Sequence, residues 1–335
     1  MRRLESLEFL RGCAVILVVL YHLLAVQNRY FNAQELPAIL KYGYIGVDIF
    51  FIISGAVIFL ASNQLNKFRE ALSFWTGRII RIYPSYWLIT MLILSIYVYE
   101  PKLVNSSYTA QPSLIKSFLL LPDDTKPWLN VGWSLIYELW FYIFAAGLIL
   151  VPNNLRKYVC TIYCCVVVLF CQVNFNSPVL NLVLSNYIIE FFVGYMLGAI
   201  IFNNERNTAQ FIILFIMIFT MCTSCILLAD HEQLIIFMLS VIIFCVVGSV
   251  PQCYFKSLGL MLVIGRVSYS IYLTHVISLN GFFVIMTQLP LENYVLISNA
   301  VCVVFVIWVG YLFDHMFDEK IRKWYSLYKA SLARS

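Results

Sequence analysis

The chain has 335 residues, of which 62% are apolar, 16% aromatic and only 12% charged, with a formal net charge of +5 and a mean hydropathy of +0.85. Soluble domains carry about 45–50% apolar and about 25% charged residues, so this composition excludes an ordinary water-soluble protein and fits a polytopic membrane chain. Ten spans of about 20 residues would use most of the length, so the sequence predicts an all-α transmembrane helix bundle whose chemistry lies among its own helices.

Apolar runs of spanning length fall near residues 9–27, 44–62, 82–99, 131–150, 158–172, 184–202, 210–228, 233–250, 264–285 and 294–313. The first carries Arg11 and His22 and lacks a small-residue cleavage site, so it reads as a retained span and not a secretory signal. A helix returns these two side chains to nearly one face, about 16 Å apart along the axis. The second run holds Asp48. The third opens on Gly77-Arg78-Ile79-Ile80-Arg81-Ile82-Tyr83-Pro84, where Arg78 and Arg81 share a helix face. They can hold a phosphate there by charge-assisted bonds. Flanked by Trp75, Tyr83, Tyr86 and Trp87, the same pair also reads as a membrane anchor.

The segment 100–130, with its short apolar stretch Leu114–Leu121, predicts a re-entrant or surface-lying lid, not a domain. In the fourth run Ser134 and Glu138 share a helix face, and the later runs bring Glu190, Arg266 and His275. From Asp314 onward the chain is basic and amphipathic, as suits a helix on an anionic leaflet. The expected division is therefore a transmembrane domain over 1–313 and a cytoplasmic tail over 314–335.

Lys and Arg fix the expected orientation. With the amino terminus inside, fifteen of the 22 fall on the cytoplasmic side and five outside, with Arg11 and Arg266 inside spans. Both termini are thus expected in the cytoplasm. The net charge then reflects topology, and no nucleic-acid partner is expected. Nine of the ten cysteines fall within predicted spans and Cys253 in a short turn, none at a ligand spacing from a His; Cys222 and Cys225 form a CxxC inside an apolar run. They read as small buried hydrophobes, with no metal and no structural disulfide expected.

Ionisable groups inside spans are costly and mark a pathway or a site. The helical rise sets His22, Asp48, Glu138 and Glu190 about 6–10 Å below the outer face, on four helices, with His275 nearer the middle. Arg11, Arg78, Arg81 and Arg266 lie toward the inner face. Two levels follow, a cationic one facing the cytoplasm and a titratable one deeper in. Glu138 at the depth of His22 could fix the tautomer of the ring and support its cation, as a base in acyl transfer requires; a structural salt bridge between spans is the other reading.

Five stretches taken in order are similar to acyltransferase family 3, the integral-membrane acyltransferases. They are Arg11 with His22, Gly43-Tyr44-Ile45-Gly46-Val47-Asp48 running on to Ser54-Gly55, the Arg78 to Trp87 stretch, Gly132-Trp133-Ser134-Leu135-x-Tyr137-Glu138, and Gly265-x-x-Ser268-Tyr269-Ser270-Ile271-Tyr272-Leu273-Thr274-His275. The fourth stretch makes the chain resemble the bacterial exopolysaccharide and lipopolysaccharide O-acetyltransferases most. Ala56 stands where Phe is usual, and the hydrolase-like extra domain of some members is not expected.

The resemblance implies acetyl-CoA, or another acyl-CoA, as cytoplasmic donor and a hydroxyl of a cell-surface or lipid-linked glycan as acceptor, in a bacterial inner membrane. It implies Arg78 and Arg81, with Arg11 and Arg266, at the donor phosphates, and His22 as base. Glu138 would orient that base, with Asp48 or Glu190 as substitutes and His275 nearby; Ser134, Tyr137 or Tyr272 would polarise the thioester oxygen. The competing classes are a transporter of lipid-linked sugars, which calls for broken spans in symmetric halves, and a glycan polymerase with a large external loop. The sequence has neither feature.

Overall fold

Lipid offers no partners to backbone N–H and C=O groups, so a chain this apolar crosses only as elements that satisfy their own backbone. The computed structural model describes residues 4–31, 36–100, 111–170, 172–202, 208–228, 230–288 and 295–332, and these form helices with no strand among the described residues. In chain order they are α1 (Glu5–Phe31), a 3₁₀ turn (Ala38–Tyr44), α2 (Ile45–Ser62), α3 (Phe68–Tyr99), α4 (Leu114–Leu119), α5 (Gly132–Ile149) and α6 (Asn153–Phe170). Then come α7 (Pro178–Val183), α8 (Asn186–Phe202), α9 (Thr208–Leu227), α10 (His231–Ser249) and a second 3₁₀ turn (Gln252–Ser257). The chain closes with α11 (Gly259–Arg266), α12 (Ser268–Met286), α13 (Val295–Phe313), a π turn (Asp314–Asp318) and α14 (Glu319–Leu332).

Among the described residues nine helical runs are long and apolar enough to cross a membrane. The predicted span at 158–172 is not one of them. It corresponds to α6, whose first turn carries Asn153, Asn154, Arg156 and Lys157, and its last predicted residues include Cys171, outside the described residues. Even so, α6 joins the two ends of the bundle: Arg156 at its start bonds to the end of α2, and Gln172 beyond its end donates to the Leu227 carbonyl at the end of α9, 3.0 Å away.

Arg156 looks in the sequence like one more topology-setting cation. It is almost fully buried, and its guanidinium donates to the carbonyls of Ser62 (2.8 Å), Val151 (2.9 Å), Ile149 (3.0 Å) and Leu65. These carbonyls lie at or just beyond the C-terminal ends of α2 and α5, where helices leave acceptors without partners and favour positive charge. One planar fork thus clamps two helix ends. Lysine cannot reproduce the fork, so Arg156→Lys is expected to cost about 2–4 kcal/mol of stability, read as a fall in the detergent melting temperature.

At the centre α2 and α8 run parallel in backbone contact. A Cβ on Gly194 would overlap the Ile52 carbonyl oxygen, one on Gly55 the Phe191 carbonyl, and Gly198 rests on Ala56. Small residues of this kind let helices in lipid approach closely. Ala56, where the resemblance leads to the expectation of Phe, therefore belongs to this seam and is not among the residues lining the cavity between Arg11 and Glu138.

The aromatic residues after Arg81 hold the segment that follows α3. Tyr83 OH, Tyr86 OH and Trp87 Nε1 donate to the carbonyls of Leu119, Ser117 and Phe118 at 2.8, 2.7 and 2.8 Å, so α3 holds the carbonyls of α4. Lys116, 2.7 Å from Asp123, holds that carboxyl below its ordinary range. Residues 101–110 of the predicted lid lie outside the described residues.

The expected boundary after residue 313 falls within a continuous helical run. Ser270 of α12 donates to Asp314 (3.0 Å) and Asp318, Ser85 of α3 donates to Asp318, and Arg322 holds Asp314 through two nitrogens at 3.0 and 2.7 Å. The π turn supplies the acids that tie α13 and α14 to the two helices carrying Arg81 and His275. Tyr325 adds a bond to the Ser73 carbonyl, so α14 leans on α3.

Candidate active site

Three polar groups sit among α1, α2, α3, α5, α8, α10 and α12. The first is a histidine pair. His22 of α1 and His275 of α12 approach with Nδ1 and Nε2 at 3.4 Å and ring centroids at 4.8 Å, nearly perpendicular. Each Nδ1 also faces a carbonyl oxygen, Val18 at 3.0 Å for His22 and Tyr272 at 2.6 Å for His275. A carbonyl only accepts, so each Nδ1 carries the hydrogen. The Nε2 of neutral His275 is then a lone pair turned toward the His22 N–H, and the basic atom of His22 is its own Nε2.

The second group lines a narrow internal cavity of about 50 Å³, formed by Arg11, Ser54, Arg81, Ser134, Glu138 and Tyr272 with Phe50 and Phe51. Ser134 Oγ and Tyr272 OH lie 2.7 Å apart, and both reach the Val131 carbonyl at 3.1 Å. Glu138 accepts from Tyr142 and, at 3.5 Å, from Ser54. Arg78 stacks over the rings of Phe74 and Tyr142 at 5.1 and 5.3 Å. Among the described residues no carboxylate lies within ion-pair distance of Arg11, Arg78 or Arg81. Guanidinium groups gathered inside a bundle without a direct counter-charge are suited to a polyanionic ligand.

The third group joins Asp48 and Glu190, both buried. Gln233 Nε2 donates to Asp48 Oδ1 (2.8 Å) and Glu190 Oε1 (2.9 Å).

The expected single level of titratable groups is therefore divided. Glu138 does not orient His22: its oxygen is taken by Tyr142 and Ser54, and it supplies negative charge to the arginine level. Asp48 and Glu190 do not substitute for it, because they are bound to each other through Gln233. His275 is the group that touches His22. Arg266 also departs from expectation, since its Nε lies 3.5 Å from Glu8 and it is half exposed at the α1–α11 seam and is not among the residues lining the cavity. Tyr137 stands apart from Ser134 and Tyr272, in a cluster of rings with Trp133, Tyr187 and Phe51. Sequence reading missed Tyr142 and Gln233, which give no signal beyond polarity in an apolar run, and gave Ser54 no role although it lies in a quoted motif.

Residues 4–314 match the family described as the acyltransferase domain, nearly the whole chain. The chain belongs to acyltransferase family 3. This acyltransferase is 30% identical over 161 residues to the exopolysaccharide production protein ExoZ of Rhizobium meliloti (strain 1021), covering 47% of the chain and 50% of that protein. It is 33% identical over 107 residues to the O-acetyltransferase OatA of Staphylococcus aureus (strain NCTC 8325 / PS 47), covering 31% of the chain and 16% of that protein. The peptidoglycan O-acetyltransferase OatA of Listeria monocytogenes serovar 1/2a is 28% identical over 164 residues, covering 44% and 24%. The chain spans half the length or less of these curated relatives. No solved structure matches it.

Proposed function

We propose that this enzyme moves an acetyl group, or another short acyl group, from cytoplasmic acyl-CoA to a hydroxyl of a cell-surface or lipid-linked glycan, in the inner membrane of a bacterium. One observation carries the reading: Arg11 and Arg81, neither with a paired carboxylate, open onto a cavity walled by hydroxyls, one helix turn from a histidine pair of defined tautomer. The relatives support it, two being named O-acetyltransferases and one an exopolysaccharide production protein. Counting α6 as a crossing gives ten, an even number, consistent with both termini in the cytoplasm as the distribution of Lys and Arg implies.

Arg11, Arg78 and Arg81 hold the donor phosphates. The cavity, about 50 Å³, widens to admit the thin pantetheine arm. Ser134 and Tyr272 then donate to the thioester oxygen as it gains charge. His22 Nε2 takes the proton of the acceptor hydroxyl while its oxygen bonds to the carbonyl carbon. As the carbon–sulfur bond breaks, His22 returns that proton to the leaving thiolate, so no acyl-enzyme forms. His275 shares the His22 Nδ1 hydrogen with the Val18 carbonyl and steadies the imidazolium. Losing one such charge-assisted bond costs about 1.5–3 kcal/mol, so His275→Ala is expected to lower kcat about 10- to 100-fold with little change in donor KM.

The experiment uses protein in proteoliposomes with radiolabelled acetyl-CoA and the unacetylated surface polysaccharide of a strain lacking the gene. Label is expected to move to the polysaccharide. Stable label on protein without acceptor contradicts direct transfer.

A further inference from the structure

A second cleft lies at the opposite end of the bundle from the Arg156 clamp, where α6 ends and α8 and α10 begin. It encloses about 410 Å³, within the range of small-molecule sites. Five amides line it, those of Gln172, Asn174, Asn181, Asn186 and Gln233, together with the rings of Phe170, Phe175 and Tyr187 and the carboxylate of Asp230. No Lys or Arg is among its described lining residues, so it is unsuited to phosphate. Amides donate and accept at once, and rings offer apolar faces. That mixture matches a neutral polyhydroxylated ligand whose hydroxyls alternate with C–H faces.

The lining is held in place from behind. Asn181 exchanges both amide bonds with the Phe175 backbone, at 2.9 and 3.1 Å, and shapes the rim. Gln172 is anchored through its NH₂ on Leu227, which leaves its carbonyl oxygen. Asn186 accepts from Ser224 at 2.5 Å, which leaves its NH₂. Gln233 spends its NH₂ on Asp48 and Glu190, which leaves its carbonyl oxygen. Fixed amides with one half uncommitted are ready-made for a ligand, at low ordering cost.

The inner wall is the Tyr187 ring. It packs at 5.7 Å from Phe51, 5.5 Å from Trp133 and 5.3 Å from Tyr137. Phe51 is itself a wall of the arginine cavity. Two rings in contact, Tyr187 on the cleft side and Phe51 on the cavity side, stand between the two spaces.

We propose that this cleft binds the saccharide acceptor and that Tyr187 is the movable partition between the acceptor and the donor cavity. The inference rests on the glycan reading above. In the proteoliposome assay, with the unacetylated surface polysaccharide as probe, Asn174→Ala and Asn186→Ala are each expected to raise acceptor KM about tenfold, the loss of about one hydrogen bond, with donor KM unchanged. Tyr187→Ala is expected to raise acetyl-CoA hydrolysis several-fold without acceptor, because water then reaches the thioester. Asn174 is exposed, so its variant tests the site even if Asn186→Ala does not fold. Unchanged acceptor KM in Asn174→Ala, or no rise in hydrolysis in Tyr187→Ala, overturns the inference while the glycan reading stands. Absence of transfer by the unaltered protein overturns that reading and this inference with it.

Discussion

His22→Ala is expected to lower acyl transfer by about 10²–10⁴-fold, the usual worth of a positioned base, while the protein still inserts and folds. The side chain contributes one bond to a carbonyl in its own helix and ring contacts to Tyr21 and His275, and it is only partly buried. What it removes is the ring with its Nε2 unprotonated, a state imposed by the Val18 carbonyl and the His275 lone pair together. Initial rates in proteoliposomes, beside melting curves in detergent, separate chemistry from folding. Near-normal rates in a folded variant would remove His22 from the mechanism.

The second large effect concerns the arginine level. Arg81→Ala is expected to raise donor KM about 10- to 100-fold, the worth of one or two charge-assisted bonds, and to leave acceptor KM unchanged. Arg78→Lys should fall in the same direction, because a lysine keeps the charge but loses the planar stack on Phe74 and Tyr142. Steady-state kinetics with each substrate varied in turn checks both. A rise in acceptor KM with donor KM unmoved would assign these arginines to the glycan, and no change in either would leave them as membrane anchors.

Much of the architecture was legible because its causes are local. Apolar runs, the clustering of Lys and Arg and the spaced motifs mark most spans and the family without any knowledge of packing. Only α6 blurred, because Asn153, Asn154, Arg156 and Lys157 at its start serve the clamp and dilute its apolar character. Depth along each helix was also readable, since it follows from a constant rise. Rotation about each helix axis was not. Equal depth suggested Glu138 for His22, yet the face that α5 presents carries Glu138 to Tyr142 and Ser54, while α12 brings His275 from 253 positions away. The Asp48–Gln233–Glu190 bridge and the Asp318 contacts to Ser85 and Ser270 depend likewise on three helices meeting, which no single stretch encodes.

The central claim is transfer of an acyl group to a glycan, as opposed to transport or polymerisation of one. NMR of the surface polysaccharide from the source strain with and without the gene tests it most directly. Acetyl signals at particular hydroxyls should vanish on deletion and return with the unaltered gene, while polysaccharide length and amount stay the same. Unchanged acetyl signals alongside a loss of surface polysaccharide, or a change in its length, would contradict the account.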